Sequence, residues 1–189
     1  QPDKPKGRVK EMQMTPVKVQ ALEYKIPVYQ PAKVRDQAFI QVLREMDADV
    51  FVVIAFGQIL PKDVLELPRY GCVNIHASLL PKYRGAAPIQ WCVIDGEKET
   101  GITTMMMDVG LDTGDMLAKV VIPSGDKETG GSLHDKLSLA GGSLILSTLR
   151  KLEEGTAVRT PQTEEGTCYA KMLTKSLGDI DWNQDARSI

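Results

Sequence analysis

The chain has 189 residues, 42% hydrophobic and only 5% aromatic, which suits one ordinary globular α/β domain. A formal net charge of -2 argues against indiscriminate nucleic-acid binding, which runs on phosphate neutralisation, and the longest apolar run, residues 50–56, is strand-sized and far short of a membrane span. Cys72, Cys92 and Cys168 are odd in number and widely spaced, so reduced thiols are expected in place of a disulfide framework or a zinc site. In chain order, the opening Gln-Pro-Asp-Lys-Pro fits neither a signal peptide nor an initiator context, and the chain reads as a cytosolic fragment. Lys4, Lys6, Arg8 and Lys10 make a basic loop that Pro2, Pro5 and Gly7 are expected to keep out of regular structure. A short helix is predicted over 16–25 and an extended piece, bracketed by prolines, over 27–31. Asp36 caps the next predicted helix, whose apolar stripe is Phe39, Val42, Leu43 and Met46. Residues 50–55 lack any polar alternate and predict a parallel strand buried on both faces. A turn over 57–61 then leads to a short helix over 63–67.

Residues 71–76 alternate as a short strand, and residues 88–94 form a predicted helix with Pro88 in its first turn and Gly96 at its stop. Strands over 102–107 and 116–122 flank an aspartate-rich loop as a hairpin-like pair. The longest helix is expected over 132–153, interrupted at Gly141 and Gly142, and the chain beyond Gly155 reads as polar and irregular. This alternation predicts a sheet covered on both faces, with ligands at the carboxyl ends of its strands.

Two histidines occur in the whole chain. His76 lies two residues after Asn74, so the amide and the imidazole share a strand face, poor core material but good site material. His134 falls in the first turn of a helix and reads as structural. Asp108, Asp112 and Asp115 are spaced by four and three, unlike the alternate-residue ligands of a common calcium loop, so no metal is expected there.

The run over 74–90 (NIHASLLPKYRGAAPIQ), the Thr100-Gly101-Ile102-Thr103 segment and the loop over 108–116 (DVGLDTGDM) together resemble the formyltransferase family that uses 10-formyltetrahydrofolate. Within it, the likeness is greatest to the members acting on methionyl-tRNA, and the Ala86-Ala87-Pro88-Ile89-Gln90 run and residues 110–115 favour these over the sugar-nucleotide enzymes. The resemblance implies a Rossmann-like, doubly wound, mostly parallel sheet that lacks its first strands. It implies a catalytic domain over 1–172 and a linker over 173–189 toward a C-terminal barrel domain outside this sequence. Asn74, His76 and Asp112 match the family's catalytic positions. Gln58, Ile59, Leu60, Ser78, Leu79, Leu80, Pro81, Asp108, Val109, Gly110 and Leu111 match positions that hold the folate. Lys4, Arg8, Lys10 and Arg84 are implied contacts to initiator methionyl-tRNA. The family points to a cytoplasmic enzyme of translation initiation, or an organellar one after processing, monomeric when full length, with 10-formyltetrahydrofolate as co-substrate and no DNA, membrane or metal partner. A sugar-nucleotide formyltransferase and a non-catalytic folate- or RNA-binding remnant are the alternatives.

The residue types suit the chemistry. Formyl transfer to an amine needs a base near neutral pH, a donor for the developing oxyanion, and a route for the proton from attacking to leaving nitrogen. His76 supplies the first, Asn74 the second, and Asp112 favours the imidazolium and holds a water for the third. Apolar walls for a pterin are expected from Ile59, Leu60 and Leu80.

Overall fold

The computed structural model describes residues 2–6 and 11–186. These fall into two compact units, one ending at Cys72 and the other beginning at Val73. Elements of both kinds alternate along the chain, an α/β arrangement as expected.

In the first unit, β1 (Lys4–Lys6) pairs antiparallel with β2 (Glu11–Gln13), Lys4 opposite Gln13 and Pro5 opposite Met12. Residues 4–6 therefore enter regular structure despite Pro5, because a two-stranded ladder has free outer edges where a missing N–H costs nothing. Helix α1 (Pro16–Glu23) starts where Thr15 accepts from the Lys18 N–H at 3.3 Å and Pro16 takes the first turn. It buries none of its residues; the Lys18 ammonium instead bonds Asp3 and Gln30, each at 2.7 Å. Helix α2 (Gln37–Glu45) begins after Asp36, whose side chain makes no capping bond, and buries Ile40. Strand β3 (Phe51–Val53) is shorter than predicted, and Val52 and Ile54 are 44% and 53% exposed. An unbroken apolar run states which faces a strand can bury; it does not supply the layers that cover them. Helix α3 (Lys62–Leu65) buries Val64 and Leu65, whose carbonyls receive the Cys72 thiol at 3.8 Å, and burial pushes that thiol up to about 11.

The second unit holds most of β4 (Cys72–His76), then β5 (Arg84–Gly85), α4 (Pro88–Ile94), β6 (Glu99–Met106), β7 (Met116–Pro123), α5 (Gly130–Glu153) and β8 (Tyr169–Ala170). Strand β6 pairs antiparallel with β4, Asn74 opposite Met105 and His76 opposite Thr103, and antiparallel with β7, the hairpin-like pair expected around the aspartate loop. Helix α4 has Pro88 in its first turn, and Gly96 follows its end at φ 64°, as predicted.

Helix α5 starts at a capping box between Thr129 and Ser132 and runs unbroken through Gly141 and Gly142. A Cβ on Gly141 would lie 3.3 Å from the Ile75 side chain and 3.9 Å from Ile102. The glycine there is a close-packing residue: it lets the helix settle on the sheet and so does not interrupt it. Leu133 and Leu137 of α5 pack with Ile102, Cys92, Tyr83 and Ala170 in the buried core. Ala170 belongs to β8, which pairs in parallel with β5, so the stretch after Gly155 is built into the unit as far as this strand. Among the described residues no helix is long and apolar enough to cross a membrane.

Candidate active site

Asn74 and His76 share a face of β4, and the loop between β6 and β7 brings Asp112 to them. The ring of His76, 5% exposed, lies with Nε2 2.8 Å from the Tyr83 carbonyl oxygen. A carbonyl only accepts, so Nε2 carries the hydrogen and the neutral ring keeps its lone pair on Nδ1. Nδ1 faces Asp112 Oδ2 at 3.7 Å, within ion-pair range and too long for a hydrogen bond. Tyr83 is itself fixed. Its φ is 60°, its N–H donates to Cys168 Sγ at 3.2 Å, and its phenol donates to Asp95 at 2.8 Å and Glu97 at 3.0 Å. Burial, then these two carboxylates, raise the phenol well above its usual range.

Asp112 adopts φ 54°, a left-handed conformation that a non-glycine residue holds only when its surroundings enforce it. The enforcement is visible. Oδ2 accepts from the Gly85 N–H at 2.8 Å, and Oδ1 lies 3.4 Å from the Asn74 amide nitrogen. Behind the loop, Gln162 Nε2 donates to the Asp112 and Gly114 carbonyls, both at 2.8 Å, while its Oε1 accepts from Arg84 Nε at 2.9 Å. Gly114 permits this closeness, since a Cβ there would lie 2.0 Å from the Met106 carbonyl oxygen.

Arg84 is 2% exposed, and its Nη1 pairs with Glu164 at 3.2 Å. The expectation that it contacts tRNA is corrected: a guanidinium enclosed and paired in this way presents no surface to a phosphate. Its neighbour Lys82 is the exposed cation, paired with Glu97 at 2.7 Å; this contact holds Glu97 below and Lys82 above their ordinary ranges.

The other expected positions divide by unit. In the second, Ser78 donates to the Lys82 carbonyl at 2.6 Å, and Thr103 Oγ1 donates to the Ser78 carbonyl at 2.7 Å while accepting from the Leu80 N–H at 3.2 Å. This pins the turn through Leu79 and the cis Leu80–Pro81 peptide to the sheet. Asp108 accepts from the Gly110 N–H at 2.9 Å and from Thr113 Oγ1 at 2.7 Å, and Val109 and Leu111 are left at an exposed, apolar tip. In the first unit, the Gln58 side chain accepts from the Val34 N–H at 2.9 Å, and Ile59 is exposed. Leu60 and Leu80, expected as pterin walls, are 7% and 1% exposed and belong to the core, because each is packed on all sides. Lys4 lies in β1, whereas Arg8 and Lys10 fall outside the described residues. His134 is exposed beside Asp135. Sequence reasoning missed Gln162, which stands in a polar stretch with no local pattern to mark it and meets its partners 50 and 78 residues away.

A profile of the family described as formyl transferase matches residues 1–149. The methionyl-tRNA formyltransferase of Agathobacter rectalis is 57% identical over all 189 residues, and that of Geobacter metallireducens 58%; the chain covers 61% of each. Among solved structures, the formyltransferase PseJ from Anoxybacillus kamchatkensis, in complex with UDP-4,6-dideoxy-4-formamido-L-AltNAc and tetrahydrofolate, is 21% identical with a TM-score of 0.66. That match covers 85% of this chain and 82% of PseJ, a likeness of Rossmann-like α/β fold.

Proposed function

The chain belongs to the formyl transferase family, and on that premise we propose that it transfers a formyl group from 10-formyltetrahydrofolate to the amino group of initiator methionyl-tRNA, in the cytoplasm. The observation that carries this reading is the corner where Asn74, His76 and Asp112 meet. The free amine attacks the formyl carbon, and a tetrahedral intermediate forms with negative charge on the former carbonyl oxygen. One Asn74 N–H is turned toward Asp112; the other donates to that oxygen. His76 takes the proton of the attacking nitrogen at Nδ1, and the resulting imidazolium faces the Asp112 carboxylate. The same proton goes to N10 of the folate as the C–N10 bond breaks, leaving tetrahydrofolate and formyl-methionyl-tRNA. No covalent enzyme adduct is required.

The names of these relatives support methionyl-tRNA as the acceptor, and identities of 53–58% over the whole chain are high for an assignment of substrate class. In the same reading, Ser78, Leu79 and Pro81 of the turn and the tip over 108–111 hold the folate, Gln58 and Ile59 are its contacts in the first unit, and Lys4, Arg8 and Lys10 approach the tRNA.

Single-turnover transfer of labelled formyl from 10-formyltetrahydrofolate, with methionyl-tRNA, a UDP-amino sugar or water offered as acceptor, tests the proposal. Label is expected on methionyl-tRNA, and His76→Asn is expected to slow its appearance by about 10²-fold or more. Label on the UDP-amino sugar would move the assignment to a sugar-nucleotide enzyme, and label on none of the three, from folded protein, would leave a binding remnant.

A further inference from the structure

The geometry assigns Gln162 as the positioning residue for Asp112, an inference that rests on the formyl-transfer reading and adds to it a residue outside the catalytic corner. Three observations converge. First, the Asp112 backbone is held in a left-handed conformation, so its carboxylate points at His76 only while something keeps the loop from relaxing. Second, both amide hydrogens of Gln162 are directed at that loop, one to the carbonyl of Asp112 and one to that of Gly114, at 2.8 Å each. They bracket Thr113 and clamp the turn immediately after the carboxylate. Third, the clamp has one possible orientation. The two loop carbonyls only accept and Arg84 Nε only donates, so the amide nitrogen must face the loop and the amide oxygen the guanidinium.

Arg84 acts through this amide. Buried at 2% exposure, it fixes the Gln162 oxygen from behind, and its backbone leads directly into Gly85, whose N–H grips Asp112 Oδ2. Asp112 is thus held at two points that lead back to one short stretch of chain, its carboxylate by the Gly85 N–H and its backbone carbonyl by Gln162, which Arg84 fixes. Gln162 touches neither substrate nor reacting atoms in this scheme. A displacement of about 1 Å of a catalytic group can cost on the order of 10²-fold in rate, and that is the scale on which such a clamp acts.

Gln162→Glu is the sharpest variant. It keeps the length and the partner for Arg84, and it turns an acceptor oxygen toward two carbonyls that need donors. Gln162→Met, uncharged and unbranched, is the second. Each is measured alone and combined with Asp112→Asn in single-turnover formyl transfer, with KM for folate and the thermal transition followed in parallel. The expected result is a fall in kcat of about 10- to 10²-fold at little changed KM, and no further loss beyond about threefold when the same change is made in the Asp112→Asn background. Wild-type kcat in both Gln162 variants, with Asp112→Asn impaired, would overturn the positioning role and leave the formyl-transfer reading intact. Losses that multiply in the double variants would make Gln162 a general structural residue, as would the absence of a cooperative thermal transition in both single variants. Full activity in Asp112→Asn would bring down the reading on which the inference stands.

Discussion

Two aspartates four residues apart in one loop lead different lives. Asp108 bonds Gly110 and Thr113, neighbours two and five residues on, and so shapes the turn it sits in. Asp112 reaches Gly85, Asn74 and His76, all on other elements, and its own backbone is held by Gln162. The first half of the loop ends in an exposed apolar tip, and the second half is locked into the sheet. A carboxylate becomes available for chemistry when the folded chain orients it; one that its own neighbours satisfy shapes the turn it sits in.

The widest separation between the halves is expected in catalysis. Asp112→Asn should lower kcat by about 10²- to 10³-fold, whereas Asp108→Ala should lower it by less than about threefold and act mainly on KM for the folate. Equal losses in the two variants would erase the distinction. The next effect bears on the lock itself. In Gly114→Ala the new methyl meets the Met106 carbonyl oxygen and must displace the backbone beside Asp112. A fall in Tm of about 5 °C and a loss of about tenfold in kcat are expected, read by thermal melting and single-turnover rates; an unchanged rate would show that the locked half tolerates movement.

The smallest effect comes from a pair outside the loop. Lys82 and Arg84 repeat the same contrast at shorter range, one cation at the surface against Glu97 and the other enclosed. The folded pKa of Glu97 is lowered, chiefly by the Lys82 hydrogen bond, so its contribution is present above the unfolded carboxylate value and is lost as pH falls through the folded one. That of Lys82 is raised, chiefly by Glu97, so its part is present below the ordinary lysine value and is lost as pH rises through the folded one. Glu97→Gln should therefore cost about a degree of Tm near neutral pH and nothing in strong acid, with kcat unchanged.

How far the sequence could be read follows the same line between local and distant partners. The helix over 88–94 was legible because Pro88 and Gly96 mark its own ends, and the pair of strands around the aspartate loop because each carries its own apolar run. Asn74 and His76 were legible because two residues of strand spacing suffice to put them on one face, and Asp112 through the family motif around it. The reading failed where the deciding partner is remote. Gly141 looks like an interruption until Ile75 is seen packed within 3.3 Å of where its Cβ would stand. Arg84 looks like a surface cation until Gln162 and Glu164 close over it. Gln162 looks like nothing at all, because its three partners come from other parts of the chain.

The bond from His76 to the Tyr83 carbonyl carries a consequence for the order of events. With Nε2 tethered to a group that can never take a proton, the imidazole has a single port. A proton cannot enter on one side of the ring and leave on the other, as it does in a relay that hands charge across a site. In the proposed reaction, the nitrogen that loses the proton and the nitrogen that gains it would therefore present themselves in turn to the same lone pair, on the side of Asp112. Under the proposed formyl transfer, acceptor amine and folate would have to meet within that one small sector, and a substrate that approached from the Tyr83 side would find a base that is already occupied.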